Sequence, residues 1–171
     1  AEGPALPRQE LLGEAVAPVA PMAEARAAPI AAVVRERLLV AGGGTFEPDG
    51  RMITSRTAEA YDCRRDGADG SLSDAWSALP PMHEARCYAG SAVLDESWYA
   101  LGGRSEEGGA LNTAEAFDAG RGAWRQLSLL HFGMDSVAGA VHRGRVLAVG
   151  VPAIESFDPR EGRWRLDPTG I

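Results

Sequence analysis

TAEAFDAGRGAW occupies residues 113–124, and forty residues beyond its Glu115 the chain reads IESFDPREGRW, residues 154–164. Both place an aromatic two residues after a Glu, an Asp beside the aromatic, and a Trp six residues after the Asp. The frame also stands upstream at Glu59, Tyr61, Asp62 and Trp76, with eight extra residues before the Trp. A catalytic carboxylate pair needs two environments that push its pKa values apart. Three copies of one frame argue instead for scaffold, with the glutamates satisfying backbone N–H groups or an Arg.

Working outward, PMAEAR at 21–26 returns as PMHEAR at 81–86. AAVVRERLLVAGGG follows the first and GSAVLDESWYALGG the second, so Gly43 and Gly103 also lie sixty residues apart. A third stretch, VAGAVHRGRVLAVG, ends at Gly150. Aligned on that glycine, Val149-Gly150 replaces the double glycine, and Gly133 stands where Arg26 and Arg86 would fall. Self-similarity at such a period is the mark of a repeat architecture.

Each unit is expected to hold four strands. In the second, residues 87–94 and 97–102 are apolar runs split by the turn DES, a hairpin pattern. TAEAFD and the segment around Trp124 supply two more strands, separated by the turn residues GRGA. Four antiparallel strands in tandem units of forty to sixty residues describe propeller blades, an all-β class.

Gly-Gly after a strand, Glu-x-Tyr/Phe-Asp and a following Trp, in three phased copies, resemble kelch repeats over about residues 21–168. The resemblance implies β-propeller blades at 21–80, 81–130 and 131–171, preceded by a lead-in over residues 1–20. Three blades do not close, because rings need roughly four to eight. The expectation is therefore a partial propeller, part of a longer array completed by further blades of the same or another chain. EAVAPVAPM at 14–22 parallels DAWSALPPM at 74–82, which suggests the last strand of a preceding blade, or else a cap.

Composition narrows the function. Net charge is −7, all 17 basic residues are Arg and there is no Lys. A Schiff-base or phosphate-loop lysine is thus absent, and an acidic chain without a basic run suits neither nucleic acid nor an anionic membrane. Cys63 and Cys87 form no CxxC pair, so reduced thiols in an intracellular compartment such as the cytoplasm are the expectation. AGGGTF at 41–46 has neither the GxGxxG nor the lysine of a nucleotide loop. RDGADGSLSD at 65–74 lacks the calcium-loop register. His83, His131 and His142 share no ligand spacing, and no cofactor or metal is expected. The aromatics of the frame are expected to fill the space between blades.

Function is therefore sought in what differs between the copies. By the kelch resemblance, second-to-third-strand loops and inter-blade loops share one face of the disc. GTFEPDGRMITSR at 44–56 and RSEEGGALN at 104–112 carry Arg51, Arg56, Arg104, Glu106, Glu107 and Asn112, the candidate partner-binding residues. The insertion at 63–75, with Arg64 and Arg65, is expected on the opposite face. The leading reading is a non-catalytic interaction or scaffold module for other protein chains. The alternative is a kelch-type oxidase, epimerase or lyase with a site at the central channel; Tyr61 and Cys63 alone do not assemble one.

Overall fold

The computed structural model describes residues 20–62 and 75–167. The first sheet holds β1 (Ile30–Val34) and β2 (Arg37–Ala41). A small separate hairpin follows, β3 (Gly44–Phe46) and β4 (Met52–Thr54), before β5 (Ala58–Asp62) and β6 (Trp76–Leu79) complete that sheet. The second sheet comprises β7 (Gly90–Leu94), β8 (Ser97–Leu101), β9 (Ala114–Asp118) and β10 (Ala123–Gln126). The third comprises β11 (Ala138–His142), β12 (Arg145–Val149), β13 (Ile154–Asp158) and β14 (Arg163–Leu166). Every pairing is antiparallel between neighbours, so each large sheet is a four-stranded meander. The partial propeller of about three blades is thus as the repeats predict.

Two-residue turns join the first strands of each blade. Arg35 and Glu36, Asp95 and Glu96, and Arg143 and Gly144 all have positive φ, the backbone hand that matches strand twist in a tight hairpin. The third turn is closed by an aspartate. Asp118 Oδ1 accepts from the N–H groups of Gly120 (2.8 Å) and Arg121 (3.0 Å), and Asp158 Oδ1 from Arg160 (3.0 Å). Hydrogen bonding to the ionised form, chiefly from the Arg121 N–H, holds the Asp118 carboxyl below its ordinary value. This is why an Asp ends the Glu-x-aromatic-Asp frame.

The middle sheet lies between the other two, and its two faces fill two cores. Trp98, Phe117 and Trp124 meet Ile30, Leu39 and Ala60 of the first blade. On the opposite face Tyr99, Leu101 and Ala116 meet Val146, Phe157 and Trp164 of the third. The second and third blades thus each drive an aromatic wedge into a flatter surface on the blade before. A buried aromatic of this kind contributes about 2–3 kcal/mol of transfer free energy. The innermost strands pack so closely that a Cβ on Gly139 would lie 2.2 Å from the Ser91 carbonyl oxygen.

Three details differ from the sequence reading. β7 begins at Gly90 and not at 87, because Tyr88 takes a φ of 53°. Ala28 (50°) and Ser136 (53°) do the same at the equivalent places, a kink before each inner strand. Residues 44–46 and 52–54, read as open loop, pair as a hairpin. The alignment of the third copy moves by one residue. Gly42, Gly102 and Gly150 donate to the carbonyls of Thr57, Thr113 and Ala153, so Gly150 matches the first glycine of the pair. Met134, not Gly133, then takes the place of Arg86. The insertion from residue 63 to residue 74, with Cys63, Arg64 and Arg65, lies outside the described residues, as does the strand expected before residue 20.

Candidate functional site

PMHEAR crosses the top of its own blade and is held there by the glutamate of the repeated frame. Glu115 Oε2 accepts from the backbone N–H of His83 (2.8 Å) and lies 2.7 Å from His83 Nδ1. Glu115 Oε1 accepts from the Glu84 N–H and from Arg86 Nη2, both at 3.0 Å. Arg86, 1 % exposed, also donates to the carbonyls of Gly102 (2.6 Å) and Thr113 (3.1 Å). Burial pushes the Glu115 carboxyl up, but the hydrogen bonds of His83 and the Arg86 charge outweigh it and hold the group below its ordinary value. The first blade repeats the arrangement, with Arg26 donating to Glu59 (2.9 Å), to Thr57 and to the Gly42 carbonyl.

The Trp closes the same device. Trp76, Trp124 and Trp164 donate their indole N–H to the carbonyls of Ala20, Pro80 and Ser128, at 2.9, 2.9 and 3.0 Å. The glutamates therefore serve structure, with Arg26 and Arg86 as partners as expected. His83 and His131, read from sequence as scattered, occupy one repeat position: His131 Nδ1 lies 2.7 Å from Glu155 Oε2, as His83 does from Glu115. Among the described residues no group of three or more His, Cys, Asp or Glu side chains is placed to hold a metal ion.

The variable loops meet elsewhere. Arg51 Nη1 of the 44–56 hairpin pairs with Glu106 Oε1 of the 104–112 loop at 3.0 Å, both side chains about half exposed. Beneath this bridge is a cleft of about 270 Å³, whose lining includes Phe46, Met52, Cys87, Tyr88, Arg104 and Glu106. Phe46 is 62 % exposed and Tyr88 41 %. Arg104 is positioned by its backbone, paired with Cys87, and by Nε donating to the Gly108 carbonyl (3.0 Å). Cys87 itself is buried, which pushes its thiol up and leaves it a packing group.

The six candidate residues thus divide. Arg51, Arg104 and Glu106 come together at the cleft. Glu107 sits beside it on the loop tip, its carboxyl held below its ordinary value by backbone and Ser105 hydrogen bonds. Arg56 and Asn112 hold equivalent junction positions, where their carbonyls accept the N–H groups of Met82 and Leu130 at 2.8 Å. Phe46 and Tyr88 were absent from the sequence reading. The signal for Tyr88 is the repeated kink at Ala28, Tyr88 and Ser136, which turns that position away from the strand.

Residues 85–128, which span the second blade, match the family described as Kelch motif. Kelch domain-containing protein 8B of Mus musculus is 36 % identical over 113 residues, covering 54 % of this chain and 32 % of that protein. Alpha-scruin of Limulus polyphemus is 24 % identical over 124 residues, covering 70 % of this chain and 12 % of its own length. The chain therefore spans a third or less of these curated relatives. A solved structure described as "Structure of YjhT" superposes with a TM-score of 0.64 at 13 % identity, over 83 % of this chain and 52 % of that one, and shows the fold. Three four-stranded sheets built on one repeated Glu–aromatic–Trp frame, with the motif match on the second, make this chain a kelch-repeat domain with the architecture of a partial β-propeller of about three blades.

Proposed function

We propose that this domain is a non-catalytic interaction module that binds another protein through the cleft between the 44–56 and 104–112 loops. The observation that carries the reading is the convergence of these two loops, from different blades, on one cleft. The Arg51–Glu106 bridge ties them together there, and Phe46 and Tyr88 remain open to solvent. Exposed aromatics beside an Arg, on a rigid scaffold, are the composition of interface hot spots. The repeated carboxylates, which would be the first candidates for chemistry, are already engaged in holding the blades. The kelch relatives support an interaction or scaffold character.

Further blades, from the same or another chain, would continue the arc, since three sheets are fewer than a closed ring needs. The binding reading is tested by co-purification from the producing cells with the native domain and with the F46A/Y88A/R104A variant. A partner recovered with the native domain and lost with the variant supports it. Recovery that is equal for both overturns it.

A further inference from the structure

At two positions that line the loop cleft, the second blade carries side chains that the first blade does without. The bridge between Cys87 and Arg104 repeats the bridge between Ala27 and Gly44, so an arginine stands where the first blade has a glycine. The kinked residues Ala28, Tyr88 and Ser136 are equivalent, and of the three only Tyr88 carries a ring. The repeated frame needs neither the guanidinium nor the ring, since the first blade is built without both.

The charges of the cleft do not cancel. Glu106, in the lining, is neutralised by Arg51. Arg104 donates Nε to the Gly108 carbonyl, but among the described residues its two Nη groups meet no acceptor and no carboxylate pairs with it. Its charge is felt at Cys87 in the lining, where it opposes the burial that pushes the thiol up; Asp135 acts there in the other sense and stands outside the lining. Glu107 is also outside, its carboxyl tied to its own backbone and to Ser105. One uncompensated guanidinium is left beside the exposed rings of Phe46 and Tyr88. The paired Nη donors of an arginine match the two oxygens of a carboxylate. The net charge of −7 repels a run of acids, so Arg104 selects by contact, and for one carboxylate.

We propose that the cleft reads a single Asp or Glu side chain of the partner segment through the Nη groups of Arg104, with an apolar neighbour of that residue against Phe46 and Tyr88. This rests on the reading that the cleft binds a protein segment, and names the chemistry of that segment. Arg51 has its own part. It acts through Glu106, neutralising a carboxylate in the wall that would otherwise repel the incoming one.

The test is an amide NMR titration of the full chain with two acetylated and amidated peptides, Gly-Phe-Glu-Gly and Gly-Phe-Gln-Gly. The glutamate peptide is expected to shift the Tyr88, Arg104 and Gly108 amides saturably, with about fivefold tighter binding than the glutamine peptide. R104A should bind both peptides alike, at the level of the glutamine peptide, which a merely structural role of Arg104 would not produce. R51A should weaken the glutamate peptide alone, and R51A/E106Q should restore it; failure of that rescue overturns the part given to Arg51. Equal binding of the two peptides by the native chain, or a preference that survives in R104A, overturns the proposal and leaves the cleft reading in place. Shifts from neither peptide overturn it as well, and the cleft reading is then decided separately by the co-purification. Should R104A fail to fold, R104Q carries the same comparison.

Discussion

Arg86 Nη2 lies 3.0 Å from Glu115 Oε1 with both side chains buried, and one blade further on the same two places hold Met134 and Glu155. The structure thus contains its own substitution experiment. Glu155, fully buried, keeps the N–H groups of His131 (3.0 Å) and Phe132 (3.1 Å) and the His131 imidazole, and dispenses with the guanidinium. Replacing Arg86 by Met should therefore leave a folded domain. It is expected to lose about 2–4 kcal/mol, since the Gly102 and Thr113 carbonyls lose their donor as well as Glu115 its cation. Urea unfolding of R86M measures this; a loss below about 0.5 kcal/mol would show that the buried pair is dispensable.

Acid should loosen the first two blades through these carboxylates. Glu59 and Glu115 are both held below the ordinary carboxylate value. A group depressed in the folded state contributes stability that is present above its unfolded pKa of about 4.3 and is lost as pH falls through the lowered folded value. The melting temperature of the native domain is expected to fall across that acidic window. E115Q should start from a lower melting temperature at neutral pH and show a shallower fall. An identical slope for the two proteins would contradict the assignment.

The Trp is the second fastening of each blade. Trp124 stacks against Trp98 and Phe117, with ring centroids 5.3 Å away in both cases, and its N–H reaches Pro80 O. W124A is expected to cost about 3–5 kcal/mol. W124F should cost less, about 1–2 kcal/mol, by keeping the ring contacts and losing the hydrogen bond. Denaturant titration ranks the two; equal costs would mean that the ring contacts contribute nothing beyond the hydrogen bond that both variants lose.

Glycine in the double-glycine strand end is required by space as well as conformation. Gly103 has a φ of +102°, and a Cβ there would lie 2.7 Å from the Cys87 carbonyl oxygen. Gly122 has a φ of +64° and nothing within 4 Å. Both substitutions to Ala meet the left-handed penalty of about 1–2 kcal/mol, but only G103A also presses on backbone. G103A is expected to destabilise the domain clearly more than G122A. The reverse order by thermal melting would contradict the packing described.

The fold was legible because anchors recur: Glu, aromatic, Asp, Trp and the PMxEAR lead reappear in phase, and the strand order follows from them. The third copy was legible only to within one residue. LLHFGM keeps neither the Pro nor the Glu nor the Arg of PMHEAR, so only His131 marks the register, and its significance depends on reaching Glu155 in space. The loop cleft was half legible. Arg51, Arg104 and Glu106 lie in stretches that vary between copies, which pointed to them. Phe46 and Tyr88 are 42 residues apart in sequence and meet only because a local hairpin and a backbone kink turn both into the same space.

The claim that function resides in the variable loops and not in the repeated frame is tested most directly by site-specific photo-crosslinking. Benzoylphenylalanine is placed at Phe46 in one protein and at Leu129 in another, a 60 % exposed position in the segment that leads into the third blade. The account predicts a discrete protein adduct from Phe46 in the producing cells, with little or none from Leu129. Adducts of equal yield from both positions, or none from Phe46, would contradict it.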